Sequence, residues 1–190
     1  MSNLPGLLID IPRNPILAVG IPVAVGVVNG LATKSSNYSA DSVWYKSLKK
    51  PSLNPPSSYY GIVWPVLYAS MGWASHLTVK ALDRTPPGLG RNAAKKALSL
   101  YWIQLGLNAL WSPLFFGAGN VGLALVNIGA LTGTVGYWAA TVKDVDETAG
   151  LLAIPYVGWL AYATYLNASI WWQNYGSSKF GKLKKEAKDL

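Results

Sequence analysis

The sequence contains no cysteine. That excludes a disulfide framework, a thiolate metal site and a thiol nucleophile. Histidine occurs once, at His76, and no cluster of metal-ligand residues surrounds it in sequence. Charged residues make up 13% of the chain, against about 25% in an ordinary soluble domain. The long apolar runs hold no Asp, Glu or Arg. Proton-coupled transporters commonly depend on an intramembrane carboxylate, so a small multidrug antiporter is disfavoured. There is no Ser/His/Asp set and no Gly-rich phosphate loop, and acid–base catalysis has almost no candidates.

What is present points to a lipid environment. Hydrophobic residues make up 51% of the chain, with nine Trp and eleven Tyr, a composition suited to a membrane protein. The formal net charge is +8, and the charged residues gather at 34–50, 83–96, 143–147 and 179–189. A nucleic-acid module would instead carry its cations on one compact face, so nucleic acid is not expected as a partner. Anionic lipid headgroups suit short basic connections better.

A helix crosses the hydrocarbon core with roughly 20 apolar residues. Five such runs are legible: 15–33, 59–81, 97–116, 121–142 and 148–172. The expected fold is an all-α integral membrane protein, a five-transmembrane-helix bundle over residues 1–176 followed by a basic tail at 177–190. The first run is preceded only by Arg13 and followed by no small-residue cleavage site, so it reads as a span rather than a signal peptide. Lysines in the first loop and the tail favour a cytosolic C-terminus. Trp44, Tyr45, Tyr59, Tyr60, Tyr101, Trp102, Trp171 and Trp172 lie near span ends, as an interfacial aromatic belt would. Gly26 and Gly30, and Gly129 and Gly133, have the spacing that lets helices approach closely, within the chain or in a second copy.

Three spans carry polar and aromatic stripes. Gln104, Asn108, Trp111 and Ser112 share one helical face. Tyr156, Trp159, Ala163, Leu166 and Asn167 fall within about one third of the fifth span's circumference, and Trp64, Tyr68, Met71 and Ser75 stack on the second. Such faces turn inward rather than to lipid. Pro22, Pro65, Pro113 and Pro155 interrupt four of the spans, which is tolerated when neighbours satisfy the freed carbonyls. Two readings fit Asn108 and Asn167 equally: interhelical hydrogen-bonding glue, or the wall of a cavity for a flat apolar ligand. His76 is a weak candidate for a haem-iron ligand and fits better as a hydrogen-bonded packing residue.

Four stretches together resemble the TspO/MBR family, the translocator proteins once called peripheral benzodiazepine receptors. They are WYKSLKKPSLNPP (44–56), WPVLYASMG (64–72), QLGLNALWSPLFF (104–116) and PYVGWLAYATYLNASIWWQN (155–174), in the family's order. The resemblance implies a five-helix bundle, often a homodimer, whose cavity is closed by the first loop. It implies tetrapyrrole ligands such as haem and protoporphyrin, with sterols and synthetic drugs for some members, and no obligatory cofactor. The implied cavity residues are Gly30, Trp64, Tyr68, Asn108, Trp111, Tyr156, Trp159, Ala163, Leu166 and Asn167. The implied lid runs over 48–56 and includes Leu48, Pro51, Asn54, Pro55 and Pro56. Porphyrin propionates would meet amides or the loop lysines Lys46, Lys49 and Lys50.

Three positions depart from the family pattern. Leu123 replaces a Trp, which removes one aromatic wall. Leu53 replaces a lid Trp, which weakens the case for light-driven porphyrin degradation. Ala168 and Trp172 replace a vertebrate sterol motif, which argues against a vertebrate-like sterol role. The expected function is tetrapyrrole transport or stress-linked scavenging, with a porphyrin-degrading enzyme or a tail-dependent scaffold as alternatives. The mitochondrial outer membrane or endoplasmic reticulum fits a eukaryotic chain, and a bacterial envelope remains the alternative location.

Overall fold

The computed structural model describes residues 4–176; the basic tail at 177–190 lies outside them. Short polar side chains start four of the helices by accepting bonds from otherwise unpaired N–H groups. Asn14 Oδ1 accepts from the amides of Ile16 and Leu17 and opens α2 (Pro15–Lys34), which follows α1 (Gly6–Arg13). Ser42 caps α3 (Val43–Ser47) through the Tyr45 amide. The pair Pro55-Pro56 leads into α4 (Ser57–Arg84), and Gly88 precedes α5 (Leu89–Ser112). Asn120 caps α6 (Val121–Lys143) and Asp146 caps α7 (Glu147–Trp171). Single π-helical turns end α5 at Pro113–Gly117 and α7 at Trp172–Gly176.

The described residues therefore hold seven α-helices, not five. The two extra ones, α1 and α3, are too short to leave a span-length apolar run. Three helical segments are long and apolar enough to cross a membrane: Pro15–Lys34, Val121–Lys143 and Glu147–Gly176. In α4 and α5 the aromatic and polar stripes dilute the hydropathy, and Arg91, Lys95 and Lys96 occupy the first turns of α5.

The five long helices close a ring in which α2 packs on α4, α4 on α7, α7 on α6, α6 on α5, and α5 back on α2. One half of the ring is a solid core built on Met71, Tyr101, Leu131, Trp138, Tyr156 and Leu160. Tyr101, expected in an interfacial belt, is 1% exposed in that core. Here α1 is fastened beneath the bundle. Trp102 Nε1 donates to the Leu8 carbonyl at 2.8 Å, His76 Nδ1 meets the Pro12 carbonyl at 2.9 Å, and Arg13 donates twice to Asp83 at 2.9 Å.

The prolines set contacts between helices. A helix-interior proline removes the bond that the carbonyl four residues earlier would accept, and its ring pushes that carbonyl aside. Pro113 frees the Ala109 carbonyl, and Asn29 Nδ2 of α2 donates to it at 2.9 Å. In the turn disturbed by Pro155, Ser70 Oγ of α4 donates to the Leu152 carbonyl at 2.7 Å. Pro22 frees the Ala18 carbonyl, and Gly72 of α4 lies directly against it, leaving no room for a Cβ. Gly26 is needed in the same way, because Tyr68's ring packs onto it. Gly129 and Gly133 have the same spacing but face open space on an exposed side of α6.

The close approach at Gly72 predicts that Gly72→Leu separates α2 from α4 and costs about 1–3 kcal/mol by overpacking. Gly129→Leu should stay within about 0.5 kcal/mol of the parent, as expected away from such contacts. Thermal unfolding of the detergent-solubilised variants distinguishes the two positions.

Candidate functional site

The other half of the ring encloses a cavity of about 510 Å3, within the range of small-molecule sites. The C-terminal half of α2, the N-terminal half of α4 and the C-terminal halves of α5 and α7 wall it, with the first loop across its open end. Of the residues expected to line it, Gly30, Trp64, Tyr68, Asn108, Trp111, Trp159, Ala163, Leu166 and Asn167 do so. Tyr156 does not. It is fully buried, on the core side of the cavity floor.

The floor is a continuous chain of hydrogen bonds across three helices. Tyr68 Oη donates to Asn108 Oδ1 at 2.6 Å, and Asn108 Nδ2 donates to Tyr156 Oη at 2.8 Å. Tyr156 Oη donates to Gln104 Oε1 at 2.9 Å, and Gln104 Nε2 reaches Met71 Sδ at 3.4 Å. Asn108 is thus glue and wall together: its amide ties α4 to α7 while one face borders the cavity. Asn167 is similar, accepting from Trp111 Nε1 at 3.0 Å and donating to the Val121 carbonyl at 3.1 Å.

Aromatic rings form the walls. Trp64 lies 5.4 Å from Tyr68 and 6.4 Å from Trp159, centroid to centroid, and Trp111 stacks on Phe115 at 5.0 Å. Tyr45, Tyr60, Phe115, Phe116 and Asn29 also line the cavity; the sequence reading did not place them there. Tyr60 precedes Trp64 by four residues and so shares its stripe, a usable signal. Asn29 is the one amide in an otherwise apolar span, which was also legible. Leu123, whose departure from the family pattern was expected to remove an aromatic wall, is half-exposed on α6 outside the lining. The departure takes nothing from the cavity. His76 likewise lies away from it, against Pro12.

The first loop closes the open end, but only Asn54 and Pro55 of the expected lid residues line the cavity. Leu48 packs with Phe115, Val121 and Ile170, and Pro51 and Pro56 stay outside the lining. Asn174 clasps the loop at both ends of one residue. Its Oδ1 accepts the Lys49 amide and its Nδ2 donates to the Lys49 carbonyl, each at 2.9 Å. Tyr162 Oη donates to the Leu53 carbonyl. Lys50 is not offered to a ligand. Its ammonium donates to the Tyr45 and Leu48 carbonyls and lies 4.4 Å from the Tyr45 ring centroid. Desolvation there pulls its pKa below the ordinary lysine value. The cation at the cavity lining is Lys34, facing the same mouth as Asp41.

Two variants check these bonds. Asn108→Ala strands the buried hydroxyl of Tyr68 and takes one of two bonds from that of Tyr156, and should lower stability by about 1–3 kcal/mol; denaturation in detergent reads it. Asn174→Ala should speed hydrogen exchange at the Lys49 amide while leaving amides in the core of α6 unchanged, as mass spectrometry of the exchanged protein would show.

The sequence profile of the TspO/MBR family matches residues 18–173. A translocator protein homolog of Schizosaccharomyces pombe is 41% identical over 158 residues, covering 83% of this chain and 90% of that protein. The translocator protein of Homo sapiens is 40% identical over 133 residues, covering 70% and 76%. A tryptophan-rich protein TspO of Chlorobaculum tepidum is 34% identical over 154 residues, covering 81% and 91%. With a family match over most of its length and relatives at this level of identity, the chain is a membrane protein of the TspO/MBR family.

Proposed function

We propose that this protein holds a flat, lipophilic tetrapyrrole in the cavity and acts as its membrane carrier or scavenger. The supporting observation is the wall: Trp64, Trp111, Trp159 and Tyr68 surround one 510 Å3 space that no carboxylate enters except at its mouth. Aromatic faces favour a planar π-system. The floor hydrogen bonds are already satisfied among themselves, so ring contacts rather than polar anchoring supply the affinity. A porphyrin's propionates would point to the mouth, where Lys34 lies, rather than to Lys50. In this reading the five long helices, α2, α4, α5, α6 and α7, all cross the bilayer, with α4 and α5 turning their polar stripes inward. The C-terminus is then cytosolic, and sterols are a further ligand class that the apolar walls would accept.

Titrating the purified protein in detergent with protoporphyrin IX, read by tryptophan quenching, tests this. Saturable quenching is expected, and a Trp64→Ala/Trp159→Ala double variant should bind about tenfold more weakly or worse, since each aromatic contact contributes about 0.5–1.5 kcal/mol beyond its area. Non-saturable quenching, or undiminished affinity in the double variant, rejects the reading.

A further inference from the structure

A second concavity lies on the outside of the ring, between α4 and α7. Ile62 and Val66 of α4 and Pro155, Gly158, Trp159 and Tyr162 of α7 line it. The four α7 positions share one helical face by their spacing of three and four residues. Its depth has a local cause. Pro155 interrupts the helix, and a Cβ built at Gly158 would meet nothing within 4 Å. Ile62 and Val66 are 69% and 63% exposed, so the groove opens outward. Its surface is almost wholly hydrocarbon. Tyr162's hydroxyl is already engaged by the Leu53 carbonyl.

Trp159 belongs to both spaces. It lines the inner cavity and the outer groove, so its indole is the partition between them. The manner in which that indole is held differs from its neighbour across the cavity. Trp111 is tethered by a hydrogen bond from Nε1 to Asn167 and by stacking on Phe115. Trp159 Nε1 is buried without a hydrogen-bond partner. Apolar packing against the core and ring contacts to Tyr60 at 5.9 Å, Trp64 at 6.4 Å and Tyr162 at 5.7 Å hold it. A side chain held by apolar and ring contacts, beside a glycine with open space, can rotate without breaking a hydrogen bond.

We infer that the α4–α7 groove is a lateral docking portal: the apolar body of a bilayer-dissolved ligand seats over Gly158 and enters the cavity as the Trp159 ring swings aside. The occupant is the lipophilic ligand itself, because the groove offers hydrocarbon contact and is continuous with the cavity through one side chain. This rests on the tetrapyrrole-binding reading above. The portal is a route, so obstructing it changes rates and leaves both end states alone. A barrier raised between two unaltered states slows both directions equally.

The test is stopped-flow tryptophan quenching by protoporphyrin IX with the full chain in phospholipid nanodiscs. Gly158→Leu fills the groove from α7, and Val66→Trp fills it from α4; neither residue lines the cavity. Each should slow association and dissociation together by about fivefold or more, as gating steps do, with the dissociation constant held within about twofold. Val126→Trp, on the exposed face of α6, controls for a bulky side chain in lipid and should leave both rates at the parental value. If both groove variants exchange ligand at the parental rate, the portal is overturned while binding stands. That would also be the outcome if the groove held only a resident acyl chain. If the parent shows no saturable binding, the tetrapyrrole reading fails and the portal with it.

Discussion

A polar group withdrawn from water has to find its partner inside the molecule, and this fold is arranged around that requirement. Its helices contain prolines, and each proline leaves a carbonyl without its usual donor. For two of them the sequence places a donor on a neighbouring helix, Asn29 for Ala109 and Ser70 beside Pro155, while the bare backbone of Gly72 lets α4 lie directly against Ala18. These are point contacts with fixed geometry, so they set the height at which α2, α4, α5 and α7 meet. Apolar packing alone would tolerate sliding by a turn. The heights in turn bring Trp64, Trp111 and Trp159 to one level, which is what makes a shared wall.

The division of the ring into a solid half and a hollow half follows from side-chain size and bend. On the core side of the lining, Tyr101, Trp138 and Tyr156 are buried and occupy the space between helices. On the cavity side, Gly30 and Gly61 on the surrounding helices and the bent end of α5 at Pro113 leave volume that the rings do not fill. The first loop then covers this volume, fastened at Asn174, Tyr162 and Lys50 by bonds to backbone atoms. Backbone anchoring holds the loop's course, and Trp44, Tyr45 and Leu48 pack it onto the bundle.

Periodicity made much of this legible. The stripes carrying Trp64 and Tyr68, Asn108 and Trp111, and Trp159 to Asn167 could be drawn from spacing alone, and they do converge. Spacing reports the direction in which a side chain points around its helix, and it is silent about level along the axis. Tyr156 and Gln104 share stripes with cavity residues yet sit on the buried side of the floor, outside the lining, for that reason. Tyr101 has the position of a belt residue near a span end, but α5 begins earlier than its apolar run and carries it into the core. Lys50 looked available because a loop lysine is usually solvated; the carbonyls that capture it come from the loop's own turn. The short helices α1 and α3 left no span-length pattern to read.

The hydrogen-bonded floor has a polarity, and one atom fixes it. A thioether sulfur accepts and never donates, so the end of the chain at Met71 obliges Gln104 to present its nitrogen there. Its oxygen then faces Tyr156, whose hydroxyl must donate, which leaves Asn108's nitrogen for that phenol and Asn108's oxygen for Tyr68. Every amide in the row is oriented by a sulfur at its far end, and no member can reverse unless all do. The hydrogen of Tyr68 is thereby committed inward, and whatever enters the cavity meets at that phenol lone pairs alone.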